Sequence, residues 1–203
     1  LTLFASIALI ACSDDGEGDG DTTETATATE GTGEASATAT EGAMEEMTPL
    51  RIGYLADFSG PLAEFGPAIQ TGVDLAVKHI NEAGGVHGMP VEVVVGDDQT
   101  DPTAATEEAR RLIEVEGVSA IVGPLASGVT IAVAEGVAAP AGVVVISPSA
   151  TSPGITTVDD DGFLFRSTTS DAAQGVVLAQ LAKDEGIDNV GVMYLNGAYG
   201  QGL

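Results

Sequence analysis

The sequence of 203 residues contains a single cysteine, no tryptophan, and only 6 lysines and arginines against 31 acidic residues. One cysteine cannot form an internal disulfide, which excludes a fold held by internal disulfides. The formal net charge of −25 argues against nucleic-acid binding, because phosphate contacts need Lys and Arg side chains. No apolar run reaches the roughly 20 residues that a membrane-spanning helix requires.

The single cysteine, Cys12, lies where an apolar run of 11 residues ends and an acidic, threonine-rich stretch begins. Residues 9–12 (LIAC) resemble a bacterial lipobox, where a secretory signal is cut and the cysteine becomes a lipid-bearing N-terminus. The run also fits the apolar core of a signal peptide. We therefore expect residues 1–12 to be a signal peptide, truncated at its N-terminus, and Cys12 to be lipidated. A buried free cysteine is the alternative.

Residues 13–48 contain 11 acidic residues, no Lys or Arg and no aromatic residue. Such a segment cannot bury enough apolar surface to offset the entropy lost on ordering it. We predict a disordered acidic linker that its own charge extends. The composition changes at residue 49, and the 155 residues that follow are enough for a domain with its own core.

From residue 49 onward, apolar strand-like runs alternate with amphipathic helical patterns. Strands are predicted at residues 50–57, 91–95, 118–122, 142–147, 163–166 and 190–195. Helices are predicted from Pro67, from Asp101 with Pro102 behind it, and over 127–139 and 171–183. This alternation indicates an α/β fold with a parallel sheet that is covered by helices on both faces.

Apolar residues repeat at steps of three and four in the first two helices, which predicts a buried stripe on each. The stripe of the first helix is Ile69, Val73, Ala76, Val77 and Ile80, and that of the second is Ala105, Ala109, Leu112 and Ile113.

Ligands bind beside the carboxyl ends of the strands in parallel α/β sheets. The loops after the first, third and fourth predicted strands offer hydroxyl groups, backbone N–H groups and helix N-termini, and none contains a cationic side chain. These groups suit a small carboxylate or another anion. Ser127 and Thr151 are therefore candidate ligand-binding residues. The alternatives are a helix cap for Ser127 and a turn former for Thr151.

Enzyme motifs are absent from the sequence, which has no G-x-S-x-G, no phosphate-binding loop ending in Gly-Lys, and no G-x-G-x-x-G after the first strand. We interpret His79 and His87 as structural or surface residues. Asp97, Asp98 and Asp101 are interpreted as caps and a solvated loop, with a metal site as the alternative. We expect a protein without catalysis, cofactor or metal.

Several strings in the folded part occur in an order and at spacings typical of one family. They are IGY at 52–54, SGP at 59–61, FG at 65–66, AVKHINEAGGVHG at 76–88, DDQTDP at 97–102, VGP at 122–124, ISPSAT at 146–151, FR at 165–166 and YG at 199–200. Residues 50–203 resemble the N-terminal half of a type I periplasmic binding protein. The nearest group is the Leu/Ile/Val-binding receptors of branched-chain amino-acid ABC transporters.

The resemblance implies two α/β lobes, with the first at 49–167 and an incomplete second lobe at 168–203. It assigns the ligand's carboxylate to Ser127 and Thr151, and its α-ammonium to the Ser149 carbonyl. The pocket residues that it adds are Phe65, Leu125, Ala126, Ala150 and, from the second lobe, Tyr199. Phe65 stands where the Leu/Ile/Val receptors have tyrosine, and the acid that pairs with the ammonium in that group lies beyond Leu203.

The resemblance therefore implies an exported, lipid-anchored receptor on the periplasmic or extracellular face of the cell membrane. Its lobes would close over a small amino acid of the branched-chain type, or a similar carboxylate or amide, and present it to an ABC permease. The alternatives are a ligand sensor for amides, urea or aromatic acids that is coupled to signalling, and a hydrolase on the same sheet. The absence of a nucleophile–base pair counts against the hydrolase.

Overall fold

The computed structural model describes residues 48–203. The expected signal peptide at 1–12, its Cys12 and the expected linker up to residue 47 lie outside the described residues. Five parallel strands form one sheet in the order β2-β1-β3-β4-β5. They are β1 at Leu50–Ala56, β2 at Val91–Asp97, β3 at Ala120–Val122, β4 at Val144–Ser147 and β5 at Leu164–Arg166.

The helices alternate with the strands along the chain, which confirms the predicted α/β class. They are α1 at Phe65–Glu82, α2 at Pro102–Glu114, α3 at Ser127–Val133 with a π-helical continuation at Ala134–Ala138, a short 3-10 helix at Pro153–Thr156, α4 at Asp171–Asp184 and α5 at Ala198–Gly202. Among residues 48–203, no helix has the length and apolar character that crossing a membrane requires.

Helix α2 begins and packs as its sequence predicts. The carboxylate of Asp101 accepts hydrogen bonds from the backbone N–H groups of Thr103 and Ala104, each at 2.9 Å. This N-cap satisfies two of the donors that a helix start leaves free. Ala105, Ala109 and Leu112 are fully buried, so the predicted stripe of α2 faces the core.

The main core lies between the sheet and helices α2 and α3. Leu55 of β1, Ile121 of β3 and Val145 of β4 are fully buried there and pack with Leu112 and Val133. Gly53 faces the same side, where a Cβ atom would lie 3.2 Å from Leu112 Cδ1. Helix α2 therefore packs close to β1.

Helices flank the sheet as predicted, but on one face they leave side chains of β4 and β5 exposed in the described part of the chain. Side chains alternate between faces along a strand, so Ile146 and Phe165 point away from the main core, and they are 40% and 52% exposed. Among the described helices, α1 lies on this face, over β1 and β2. A helix about 10 Å wide covers about two strands that are spaced about 4.8 Å apart.

The predicted buried stripe of α1 is only partly correct. The helix begins at Phe65 rather than Pro67. Ile69 and Val73 pack beside Tyr54, whereas Ala76 and Ile80 are exposed. Val77 is half-buried. A helix that packs against the sheet on one side alone cannot bury an apolar stripe of this width.

The strand predicted at residues 190–195 is also wrong. This segment has no regular structure, and its side chains are exposed, up to 99% for Met193. A strand needs a hydrogen-bonded neighbour, and none of the described residues pairs with this segment. The described residues belong to one compact unit, and the expected lobe boundary at 167/168 stays a prediction.

Candidate ligand-binding site

A pocket of about 640 Å³ opens at the carboxyl ends of β1, β3 and β4. Seven of the eight predicted ligand-binding residues line it: Phe65, Leu125, Ala126, Ser127, Ser149, Thr151 and Tyr199. The eighth, Ala150, is fully buried behind the wall, and its N–H donates to Ser147 Oγ at 3.1 Å. The sheet therefore brings these residues together, while their contacts with a ligand stay a prediction.

Most of the pocket wall is apolar, and part of it was not predicted. The unpredicted residues are Pro61, Leu62, Ile69, Thr100 and Leu195. Pro61 and Leu62 belong to a loop that the sequence places at the sheet edge. An apolar residue in a loop does not by itself indicate that it binds a ligand. Leu195 ends the strand predicted at residues 190–195, and a residue in a buried strand is not expected to line a pocket.

Hydrogen bonds between the two loops after β3 and β4 fix the polar end of the pocket. Ser147 Oγ donates to the carbonyl of Pro124 at 2.6 Å, and Ser149 Oγ donates to the carbonyl of Leu125 at 2.8 Å. Gly123 has a φ of 108°, and a Cβ atom there would lie 1.8 Å from the Leu55 carbonyl oxygen. Only glycine allows this approach of the loop to β1.

Two hydroxyl groups at this end keep hydrogen-bonding capacity that the described residues do not use. Ser127 Oγ accepts from the N–H of Ser152 at 3.3 Å, which leaves its own proton free to donate. Thr151 Oγ1 is buried and has no hydrogen-bond partner among the described residues. The helix-cap alternative for Ser127 is wrong, since α3 has Ala126 at its N-cap and no side-chain cap.

The guanidinium of Arg166 holds the Thr151 loop from behind. Its Nη1 donates to the carbonyls of Thr151 and Ser152 at 3.2 and 2.7 Å, and its Nη2 donates to Thr156 Oγ1 at 2.5 Å. Arg166 is not among the residues that line the pocket. Its role in the described structure is to position the loop.

Asp171 is an acidic residue next to the pocket that sequence reasoning missed. It is 1% exposed, and both of its carboxylate oxygens lack a hydrogen-bond partner among the described residues. Its backbone N–H donates to the Thr151 carbonyl at 2.9 Å, which places it beside that threonine. An aspartate in the first turn of a helix is normally interpreted as favourable to the helix dipole. Here Ser170 already caps α4.

The acidic cluster after β2 is a structural element, and one of its members is not solvated as predicted. Asp97 accepts from the backbone N–H groups of Phe58 and Ser59 at 2.9 and 3.1 Å and from Ser59 Oγ at 2.7 Å. Burial acts to raise the pKa of Asp97, but these hydrogen bonds lower it below its ordinary value. Asp98 is fully buried.

The other candidates for chemistry lie away from this pocket. His79 and His87 are exposed, in keeping with their interpretation as structural or surface residues, and neither lines the pocket. Within residues 48–203, no three His, Cys, Asp or Glu side chains are grouped closely enough to hold a metal ion.

The chain is similar in sequence to known proteins over most of its described residues. The sequence model of a family described as periplasmic binding protein matches residues 49–203. The chemotactic signal transduction system substrate-binding protein BasB of Halobacterium salinarum is 36% identical over 163 residues, covering 76% of this chain and 39% of the relative. This chain thus spans about two fifths of the length of that relative.

Solved structures show the same fold. The branched-chain amino-acid transporter substrate-binding protein LivJ of Streptococcus pneumoniae, in complex with isoleucine, is 39% identical, with a TM-score of 0.63 over 68% of this chain and 39% of that one. A solute-binding protein of an ABC transporter from R. palustris, in complex with 4-hydroxybenzoate, is 26% identical, with a TM-score of 0.68 over 76% of this chain and 41% of that one.

Proposed function

This chain belongs to the periplasmic binding protein family, and we propose that it forms part of an extracytoplasmic receptor that binds a branched-chain amino acid for an ABC permease. The composition of the pocket is the observation that carries this proposal. An apolar wall faces two free hydroxyl groups, and no Lys or Arg is among the lining residues. We infer that binding, without catalysis, is the function.

The proposed orientation of the ligand follows from the chemistry of the polar and the apolar ends of the pocket. The ligand's carboxylate accepts hydrogen bonds from Ser127 and Thr151, so no cation is needed to hold it. The α-ammonium is held between the Ser149 carbonyl and the unpaired carboxylate of Asp171, and the aliphatic side chain lies against Phe65. The relative from Streptococcus pneumoniae was solved with isoleucine, which supports a ligand of this class.

Closure over the ligand would come from the segment that follows α4. Tyr199 is 45% exposed and lies in α5, which contacts α3 and the 3-10 helix. We propose that residues 49–167 belong to the first lobe and residues 168–203 to the second, and that a hinge between them brings Tyr199 onto the bound ligand. A closed form selected by the ligand is what a permease would recognise.

The place of the receptor is proposed from the N-terminal sequence. Lipid on Cys12 would anchor it at the outer face of the cell membrane, and residues 13–48 would allow it to reach the permease. Mass spectrometry of the native mature protein is expected to find a lipidated N-terminal Cys12. An intact, unmodified segment 1–11 would contradict this proposal.

Calorimetric titration of the full-length protein with L-isoleucine tests the binding function. The Thr151→Ala and Ser127→Ala variants are each expected to bind about 10–150-fold more weakly, because a hydrogen bond to a charged group contributes about 1.5–3 kcal/mol. Thr71→Ala is the matched control, since the Thr71 hydroxyl is exposed and bonded only to the Pro67 carbonyl at 3.2 Å. Unchanged affinity in both pocket variants would refute the site.

A second candidate function is sensing, or transport, of an aromatic acid. It is favoured by the chemotactic role in the name of the Halobacterium relative and by the 4-hydroxybenzoate in the R. palustris structure. An aromatic acid has no ammonium to pair with Asp171, and we therefore place amino acids first. Titration with 4-hydroxybenzoate beside L-isoleucine distinguishes the two ligand classes.

A further inference from the structure

Two buried aspartates lie side by side behind one wall of the pocket. Asp57 follows β1 and Asp98 follows β2 in the sequence, and both are 0% exposed. Each leaves its Oδ2 atom without a hydrogen-bond partner in the described part of the chain. Thr100 donates to both carboxyl groups, through its Oγ1 to Asp57 and through its N–H to Asp98, so the two groups lie close together. Two neighbouring carboxylates in a buried site are not both ionised without a large cost.

No cationic side chain forms an ion pair with Asp57 or Asp98 among residues 48–203. Acidic groups lie nearby instead. Asp97 ends β2 and acts on Asp98, Asp101 donates its N–H to the Asp98 carbonyl, and Asp74 on α1 acts on Tyr54.

Tyr54 of β1 is the remaining titratable group that faces the pair. Burial first, and then the nearby carboxylates, raise the pKa of Tyr54 to about 12, so the phenol stays neutral and donates to the Gly66 carbonyl at 2.7 Å. Burial also raises the pKa of Asp98 to about 7. A hydrogen bond from the Thr100 N–H opposes this rise, and the charges of Asp57 and Asp97 add to it.

Hydrogen bonds connect the pair directly to residues that line the pocket. Thr100 Oγ1 donates to Asp57 Oδ1, and the Thr100 N–H donates to Asp98 Oδ1 at 2.9 Å. The N–H of Leu62 in turn donates to Thr100 Oγ1 at 3.3 Å. Leu62 and Thr100 both line the pocket. Thr100 therefore bonds both to the pair and to Leu62 of the β1–α1 loop.

The β2–α2 loop also depends on these contacts for its shape. Gln99 and Thr100 have φ values of 57° and 56°, a left-handed conformation that non-glycine residues keep only where neighbouring contacts impose it. Gly60 lies against this loop so closely that a Cβ atom would be 2.2 Å from the Gln99 carbonyl oxygen. Separation of the two carboxyl groups would therefore release the loop as well.

We propose that Asp57 and Asp98 share one proton, and that this proton holds together the two loops that form one wall of the ligand pocket. Loss of the proton leaves two adjacent carboxylates that repel each other, which displaces Thr100 and Leu62. A ligand that covers the wall excludes water and favours the protonated pair, so binding takes up a proton. This inference rests on the proposed function for the identity of the ligand.

Calorimetric titration of the full-length protein with L-isoleucine at pH 5 and pH 8.5 tests the coupling. We expect binding to be about five- to tenfold weaker at pH 8.5, within the usual range for coupled sites. Asp98→Asn is expected to remove this difference, because its amide donates permanently to Asp57. Asp74→Asn is the matched control, since it removes an exposed neighbouring charge without replacing the shared proton, and it should keep the pH dependence of the wild type.

Thermal unfolding of the unliganded full-length protein tests the proton pair independently of any ligand. A carboxyl group whose pKa is raised on folding stabilises the fold at low pH, and this stability is lost as the pH rises from about 4 to about 7. The wild type should therefore lose more stability between pH 5 and pH 8.5 than Asp98→Asn. Asp57→Asn, which can form the same bridge, is the second variant if Asp98→Asn does not fold.

The two measurements separate the failures from one another. Equal pH dependence of unfolding in the wild type and in a folded Asn variant would overturn the shared proton. A stability difference without a pH-dependent affinity for L-isoleucine would overturn the coupling to the pocket. Absence of binding at both pH values would refute the proposed function and leave the unfolding result to decide on the shared proton. If neither variant folds, NMR titration of the carboxyl groups of the wild type decides. The proposal is overturned if every aspartate titrates within its ordinary range.

Discussion

Thr151, which lines the pocket, and Asp171 beside it form the most telling residue pair, because each has a buried oxygen without a partner among the described residues. Thr151 Oγ1 and both carboxylate oxygens of Asp171 are unpaired among the described residues, and the backbone of one bonds to that of the other at 2.9 Å. Buried polar groups are normally hydrogen-bonded, because leaving them unpaired costs free energy. An amino acid brings both missing partners, a carboxylate and an ammonium.

Asp171→Asn is expected to weaken L-isoleucine binding by about 10–150-fold, since it removes a charged partner of the ammonium. Thermal stability should stay the same or rise, because an unpaired buried charge is replaced by a neutral group of the same shape. Calorimetry and thermal unfolding of the same preparation check both expectations. Asp188→Asn, at an exposed position, is the control, and equal affinity in the two variants would remove Asp171 from the site.

The sequence could predict Ser127 and Thr151 but not Asp171. The first two follow the carboxyl ends of predicted strands, and sheet topology alone places such residues in a ligand site. Asp171 starts a helix, where an acidic residue has an ordinary explanation. Its lack of a hydrogen-bond partner becomes visible only once the burial and the neighbours of its side chain are known.

At the scale of elements, the predictions that hold are those decided by local chemistry. Helix α2 is an example, because its aspartate cap, its proline and its apolar spacing agree with one another. The strand at 190–195 and the full stripe of α1 failed because each depends on a neighbour that apolar spacing does not specify. A run such as 190–195 has the composition of a buried strand, but only another strand can bury it.

The same distinction applies to the loops that shape the pocket. The position of the β1–α1 and β2–α2 loops at one sheet edge follows from strand order, but their hydrogen bonds do not. Asp98 is the clearest case. A run of acidic residues in a loop predicts side chains exposed to solvent, but the side chain of Asp98 is fully buried. Asp97 instead accepts a hydrogen bond from the neighbouring β1–α1 loop. A single position along the chain separates the fully buried Asp98 from the half-buried Asp97, because successive side chains of a strand point to opposite faces.

At the scale of the whole molecule, the parallel sheet brings together residues that are far apart in the sequence. Phe65, Thr151 and Tyr199 line one pocket although α1, the β4 loop and α5 belong to different parts of the chain. The carbonyl ends of parallel strands all meet at one edge, so loops there can combine an apolar wall with a polar end. This arrangement, with no cation among the lining residues, is the basis of the proposed amino-acid receptor.

A crystal structure of the full-length protein with L-isoleucine would show the proposed site itself. We expect the ligand's carboxylate within about 3 Å of Ser127 Oγ and Thr151 Oγ1, its ammonium beside Asp171, and its side chain against Phe65. A ligand bound elsewhere, or one whose ammonium points away from Asp171, would contradict the proposed site.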